Sequence, residues 1–460
     1  MKAEARGKNP SPTMSSMQNP SLFSNSRSSI SGAVLTGCLS SLDGACIEKL
    51  LLHCGSALES NDVTLAQQVM WVLNNVASAV GDPNQRLASY FLRALVSRAS
   101  RLCPATMSFK AAGIPHRRLM SVTELAGYVD LIPWHRFGFC ASNNAILDAV
   151  RGFPKIHILD LSITHCMQWP TLIDALGKEP ESPPVELRIS VLSWRPPTPP
   201  LLNIPIEEVG QRLVNFARYR DVPFDFNVIE VGGPLDEEET IFSSSFYDFL
   251  LSQLNATMVK VNAEEALVVN IQNWLRYIPD EETSSSESSC DGIMSYRDSF
   301  LELVGRLSPC LMTVVDEDCD LGAQSGLTSR IVACFNYMWI PFDALETFLP
   351  KDSPQRIEYE SDIGHKIENI VGYEGPQRIE RLESGGKLCR RMAAMGFISV
   401  PFAEETVKEV KVLLDEHASG WGMKKDEDGM LVLTWKGHNA VYAGAWVPHD
   451  LTSHQNNLLV

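Results

Sequence analysis

Residues 156–161 read Ile156-His157-Ile158-Leu159-Asp160-Leu161, and the chain then runs through Ser162-Ile163-Thr164-His165-Cys166-Met167 into Gln168-Trp169-Pro170 and a helical segment at 171–176. An apolar strand that ends in an acid and leads through a loop into a helix is how a doubly wound nucleotide-type fold opens. In such folds a phosphate or an adenosine lies on a glycine-rich turn at the helix start. Here the turn is bulky throughout: Asp160 is in place and its glycine partners are missing.

Working outward, apolar strands recur at 186–193, 226–231, 266–270 and 311–315, each separated by a helix-length segment. Strands spaced by helices imply parallel β-α-β units. Further on, 396–402 reads as a strand and 403–417 as a helix. Segments 420–425 and 430–435 then flank Asp426-Glu427-Asp428-Gly429, a hairpin with an Asp-Gly turn that would add an antiparallel edge. Trp421, Trp435 and Trp446 are expected to anchor that end in the core.

Before the first strand three apolar stripes recur at helical spacing: Ile47, Leu50, Leu51, Cys54 and Leu58; Leu65, Val69, Leu73 and Val76; and Leu87, Phe91, Leu92 and Leu95. Three consecutive helices read as a helical cap or a dimer surface, with packing inside the chain as the plainer account of their stripes, and they are too short for a sustained coiled coil. On the dimer-surface reading, Leu50, Leu51, Leu58, Leu65 and Val69 are the candidate dimer or partner interface. The expected fold is α/β and doubly wound, with a mainly parallel sheet in a Rossmann/methyltransferase-like core, an N-terminal α-helical cap and an antiparallel C-terminal edge. Residues 1–42, rich in Ser, Pro and Asn, are expected to be disordered. Residues 43–460 would form one domain, with the cap at 43–110, the α/β core at 111–460, and an acidic, Ser-rich mobile loop at 280–291.

The chain has 460 residues with 56 acidic and 39 basic side chains, a net charge of -17. That balance opposes unaided binding to phosphate backbones, whose affinity comes from clustered Lys and Arg. The 11 cysteines are scattered without a C-x-x-C pair, which fits a reducing compartment. No stretch reaches the ~18 apolar residues of a membrane span, and the N-terminus has no long apolar core of a secretion signal.

Catalytic chemistry finds little support. The second strand ends Ser190-Val191-Leu192-Ser193-Trp194-Arg195 with no acid to hold a ribose, so the usual cofactors are not expected. A crevice at the carboxyl ends of the strands would survive as a relic pocket near Asp160, and a methyltransferase-like or small-molecule-binding role is the alternative reading. Asp316, Glu317, Asp318 and Asp320 read as a solvated acidic loop rather than a metal site. His157 reads as a core histidine, and no G-x-S-x-G elbow is present. No catalytic, cofactor or metal residue is assigned.

Two basic clusters stand out. Arg378, Arg381, Lys387, Arg390 and Arg391 alternate with Glu374, Glu380 and Glu383, which in a helix would pair with one another. Arg93, Arg98 and Arg101, continued by Lys110, His116, Arg117 and Arg118, have no acids between them and are the better candidates for phosphate contacts or nuclear import.

Taken together these blocks resemble the GRAS proteins of plants, most closely the scarecrow-like branch, over about residues 43–460. Ile156-His157-Ile158-Leu159-Asp160 is similar to the central V-H-I-I-D motif, with Gln168-Trp169 following. Ile367 to Val371, then Glu374-Gly375 and Arg378-Ile379-Glu380-Arg381, follow the N-I-V, E-G and R-x-E-R pattern. Trp421-Gly422, Leu433-Thr434-Trp435 and Ala445-Trp446 resemble the terminal elements. Cys166 and Gly444 depart from the glycine and serine usual there, and no D-E-L-L-A-type sequence is present. The resemblance implies a nuclear regulator of plant transcription. It would act as a homodimer or a heterodimer with other GRAS proteins, through DNA-binding transcription factors and by possible direct contact with promoter DNA, with no cofactor and no membrane.

Overall fold

The computed structural model describes residues 44–102, 119–178, 185–196, 198–231, 243–280, 294–322 and 326–449. The N-terminal segment 1–42, residues 281–291 of the acidic loop, and Lys110, Arg117 and Arg118 lie outside the described residues.

Three helices come first: α1 (Gly44–Glu59), α2 (Val63–Val76) and α3 (Pro83–Leu102). After the two-residue strand β1 (Leu119–Met120) come α4 (Val122–Leu131) and α5 (Trp134–Ala149). The alternating part follows as β2 (Lys155–Ser162), α6 (Trp169–Leu176), β3 (Glu186–Leu192), β4 (Leu201–Leu202), α7 (Ile206–Tyr219), β5 (Phe224–Ile229), α8 (Ser244–Gln253), α9 (Ala256–Val259), β6 (Ala266–Gln272), α10 (Tyr296–Arg306) and β7 (Leu311–Glu317). The C-terminal part holds α11 (Leu327–Phe348), α12 (Pro354–Ile367), a π turn (Glu368–Gly372), α13 (Gly385–Ala394), β8 (Phe397–Ser399), α14 (Glu404–Asp415), β9 (Trp421–Lys425), β10 (Leu431–Trp435) and β11 (His438–Pro448). Side chains set several of these boundaries. Ser121 with Glu124, and Ser295 with Asp298, form capping boxes that satisfy the free N–H groups starting α4 and α10.

The main sheet has nine strands in the order β5-β3-β2-β6-β7-β11-β10-β9, with β8 beside β11. Strands β5, β3, β2, β6 and β7 run parallel, and β11, β10, β9 and β8 join antiparallel. Both faces are covered, and the alternation along each strand sorts its side chains. Ile156, Ile158, Val268 and Leu311 face one core, shared with α5, α6, α7, α14 and the N-terminal helices. Leu159, Leu161, Val269 and Met312 face a second core, shared with α8, α9, α10 and α13.

The parallel run and the antiparallel extension follow the sequence reading, and the 426–429 hairpin joins β9 to β10. Three features differ. The strand expected at 396–402 is confined to β8. The long strand β11 was not anticipated, and it separates the hairpin from β7. The segment 378–384 is not helical, so the pairing of the cluster's Glu and Arg residues with one another is only partly kept and not through helical spacing. Glu383 pairs with Arg391 of the cluster and with Arg297 from outside it, and Arg378 reaches back to Glu374.

Helices α1–α3 do not form a separate cap. They pack on α11, α12 and the π turn, so this layer is completed by residues nearly 300 positions later. Gly55 marks a close approach of α1 to α11: a Cβ there would lie 3.1 Å from the Thr328 Cα. The proposed interface residues are placed accordingly. Leu50, Leu51 and Val69 are fully enclosed within this packing, and Leu58 and Leu65 lie half-buried against it. Their apolar stripes are thus consumed inside the chain, and they do not offer a surface to a partner.

Candidate functional site

The motif residue Asp160 sits at a position where β2, β6 and β7 are in register: Asp160 faces Asn270, and Asn270 faces Thr313. Together these three side chains make a polar rung across an otherwise apolar sheet. Its groups are satisfied internally, as buried polar atoms require. Trp169 Nε1 donates to Asp160 Oδ2 at 2.8 Å, and Asn270 Nδ2 donates to Asp160 Oδ1 at 3.0 Å. Thr313 Oγ1 donates to Asn270 Oδ1 at 2.9 Å. Gln168 extends the chain of bonds to α5, with its Nε2 donating to Asn143 Oδ1 at 2.9 Å. Burial raises the Asp160 carboxyl above its ordinary range, against the lowering effect of the Trp169 and Asn270 bonds.

Asp160 is therefore a bracket that fixes the start of α6, and its carboxylate is not presented to a ligand. The loop beyond it is closed as well. Arg195 Nη1 donates to the Ser162 carbonyl at 3.0 Å, and His165 Nε2 lies 3.1 Å from the Pro200 carbonyl. His165 and Cys166 both adopt positive φ, of 49° and 64°, a conformation glycine would take freely. The buried Cys166 thiol points at Asp160 Oδ2, 3.7 Å away. His157 is a core histidine as the sequence suggested: it is fully buried, 2.8 Å from Ser190 Oγ, and burial together with Arg188 holds it down to about 4.

The open space lies elsewhere. A cleft of about 900 Å³ opens between the carboxyl ends of β6 and β7 and the layer formed by α11, α12 and the π turn. Asp160 does not line it. Its floor is a buried ion network centred on Arg276. Arg276 Nη1 donates to Glu317 Oε1 at 2.6 Å and lies 3.8 Å from Glu380 Oε2, while Nη2 bonds Asp316. Lys366 completes the group, bonding Glu317 and lying 3.4 Å from Glu380 Oε2.

These surroundings drive the two glutamates apart. Burial works against ionisation of Glu317, but Arg276 and Lys366 overcome it and hold the group at about 2. Glu380 is raised by its burial, with the Glu317 charge adding to the effect and the two cations only partly offsetting it. The reading of 316–320 as a solvated loop is corrected here: Asp316 and Glu317 are buried and ion-paired. Among the described residues no group of three or more His, Cys, Asp or Glu side chains is placed to hold a metal ion.

The R-x-E-R residues build the same seam. Arg378 Nη1 donates to the Leu321 carbonyl at 3.1 Å, Arg381 Nη2 to that of Gly375 at 3.0 Å, and Glu380 faces the cleft. Asn369 clamps the segment, its Oδ1 accepting from the Ile379 and Glu380 amides at 2.9 and 3.1 Å. Of the candidate phosphate-binding residues, Arg98 Nη1 donates to the Val371 carbonyl at 3.1 Å and pairs with Glu374 at 3.0 Å. Arg101 bonds the Gly372 carbonyl and stacks on Tyr373, its guanidinium 4.0 Å from the ring centre. Both arginines tie α3 to the π turn, while Arg93 rests near the Tyr90 ring at 5.6 Å. At the far end Trp435 and Trp446 are fully buried, and Trp421 stacks on Trp435 at 4.7 Å.

Residues 47–447 match the model of the GRAS domain family. The chain belongs to the GRAS family. Relatives of this GRAS protein include Scarecrow-like protein 32 of Arabidopsis thaliana, 47% identical over 412 residues, covering 88% of this chain and 94% of that protein. Protein SHORT-ROOT, also of Arabidopsis thaliana, is 32% identical over 415 residues, covering 87% and 73% respectively. Among solved structures, the crystal structure of SCL7 in Oryza sativa aligns with TM-score 0.68 and 26% identity, covering 87% of this GRAS chain and 99% of that one. The mixed α/β architecture is shared with that structure. Two motif residues of this GRAS protein are interior brackets: Asp160 fastens α6 to the sheet, and Glu380 fastens the π turn and α12 to the ends of β6 and β7. Arg276 and Lys366 escaped the sequence reading because their partners lie 41 and 49 positions away from them, respectively.

Proposed function

We propose that this GRAS protein is a nuclear regulator of plant transcription, not an enzyme, which acts as a dimer and through DNA-binding partner proteins. Its core is a Rossmann/methyltransferase-like sheet that no longer serves catalysis. The match to the GRAS family and to relatives such as the Arabidopsis thaliana protein named Scarecrow-like transcription factor PAT1 carries the regulatory part of this reading. The saturated carboxylate of Asp160 carries the loss of catalysis, because a cofactor-binding acid must leave an oxygen for the ligand. No helix among the described residues is long and apolar enough to cross a membrane.

Partner-mediated promoter contact is favoured over direct contact. Arg98 and Arg101 spend their donors on the protein's own carbonyls, and the net charge of -17 repels a phosphate backbone. Light scattering on the full chain, followed by a salt-titrated duplex-binding assay, tests both parts. The expected result is a mass of two chains and weak DNA binding with a log–log salt slope shallower than about -3, the value for roughly three phosphate contacts. A strictly monomeric chain would remove the dimer, and a steep slope would replace partner-mediated with direct promoter binding.

A further inference from the structure

The cleft between the ends of β6 and β7 and the layer of α11, α12 and the π turn has a composition that the regulatory reading does not use. Glu317 and Glu380 are each more than nine-tenths buried and line it; Glu317 Oε2 accepts no hydrogen bond, and Glu380 Oε2 is met only loosely, by Lys366 at 3.4 Å and Arg276 at 3.8 Å. The cations on the wall, Arg276 and Lys366, already face Asp316, Glu317 and Glu380, and of the Arg276 donors only the buried Nε has no partner, so the wall keeps its negative excess. Around the acids stand aromatic faces: Tyr128 and Tyr359 stack at 5.0 Å, and Tyr277 closes the sheet side. Glu368 adds a further carboxylate at the half-buried rim.

We propose that this cleft binds a small organic cation, a primary ammonium or guanidinium carried on an apolar or aromatic body, with its N–H groups on Glu317 and Glu380 and its body against the tyrosines. Three physical requirements meet here. The donor-free Glu317 Oε2 and the loosely paired Glu380 Oε2 call for N–H groups, and a cationic donor supplies them while offsetting the negative charge. Aromatic faces attract cations within about 6 Å of the ring centre. A volume of about 900 Å³ suits a compact organic molecule and is far too large for a bare ion. The site lies apart from Asp160, so it is a different place from the relic adenosine position at the end of β2.

The test is calorimetry and thermal-shift measurement on the full chain with 2-phenylethylammonium, spermidine and agmatine, set against 2-phenylethanol and phenylacetate. At least one of the three cations should bind saturably at or below about 1 mM, and the alcohol and the acid should not. Glu380→Gln, which keeps size and removes charge, should weaken that binding by about tenfold or more, as expected for loss of a charge-assisted bond. Should Glu380→Gln fail to fold, Glu368→Gln at the rim decides instead, with an expected weakening of about threefold. The proposal is overturned if none of the cations binds, if the alcohol or the acid binds equally well, or if a folded Glu380→Gln retains full affinity.

Discussion

Replacing Arg276 by Met is expected to destabilise the protein by about 3–5 kcal/mol at pH 7, because it leaves Asp316, Glu317 and Glu380 buried with Lys366 as the main remaining cation. The methionine retains most of the arginine's apolar stem, so the loss reports on charge more than on packing. Its pH dependence separates this account from a packing defect. In the native protein Glu317 is depressed to about 2, so its ionised pairing contributes stability above the ordinary carboxylate range, and that contribution is lost as pH falls towards 2. Without Arg276 the carboxylates titrate higher, and protonation relieves their repulsion. The gap between the two proteins in urea-unfolding free energy should therefore narrow as pH falls from 7 to about 4. A gap that is constant across that range would mean that Arg276 acts through shape alone.

Trp435→Ala should cost a similar ~3–5 kcal/mol, through a different mechanism. The indole is fully buried between β9 and α11, its Nε1 donates to Asp343 Oδ2 at 2.7 Å, and its ring lies so close to Gly420 that a Cβ there would approach to 2.5 Å. Removing it leaves a cavity that the strand pairing of β9 and β10 prevents from collapsing. Asp343 keeps Lys436 as a partner at 2.6 Å, so the penalty is mainly cavity and lost contact area, with only a small polar share. Trp435→Phe should recover part of the loss in a thermal or urea melt. A Trp435→Ala protein of native stability that failed only in partner binding would reverse the assignment of this residue to the core.

The sequence spoke most clearly where local pattern and burial coincide. Strands β2, β6 and β7 are largely apolar, broken mainly by the Asp160–Asn270–Thr313 rung, because both faces of the sheet are covered, and that reading needs no knowledge of distant residues. The Asp-Gly turn likewise announced the β9–β10 hairpin from four residues. Strand β11 was missed because Gly437, Gly444 and the small residues around them weaken the strand pattern. In the fold Gly444 is small for a reason, since the Trp446 ring lies over it and a Cβ would approach to 2.1 Å.

The apolar stripes of α1–α3 correctly indicated buried faces, but a stripe does not say what covers it. The covering helix α11 lies almost 300 residues downstream. Charge was the least legible property. Asp316 and Glu317 look solvated beside Asp318 and Asp320, and only the fold brings Arg276 and Lys366 against them. Arg98 and Arg101 look free for the same reason, although the π turn supplies their acceptors.

Chromatin occupancy in plant nuclei tests the central claim most directly: the full chain, carrying a small affinity tag, is crosslinked, captured, and the recovered DNA sequenced. A regulator acting through DNA-binding partners should recover discrete promoter fragments together with those partner proteins, and the genes concerned should change expression when the chain is removed. A protein absent from nuclei, or one that recovers no promoter above background while its removal leaves transcription unchanged, would contradict the account.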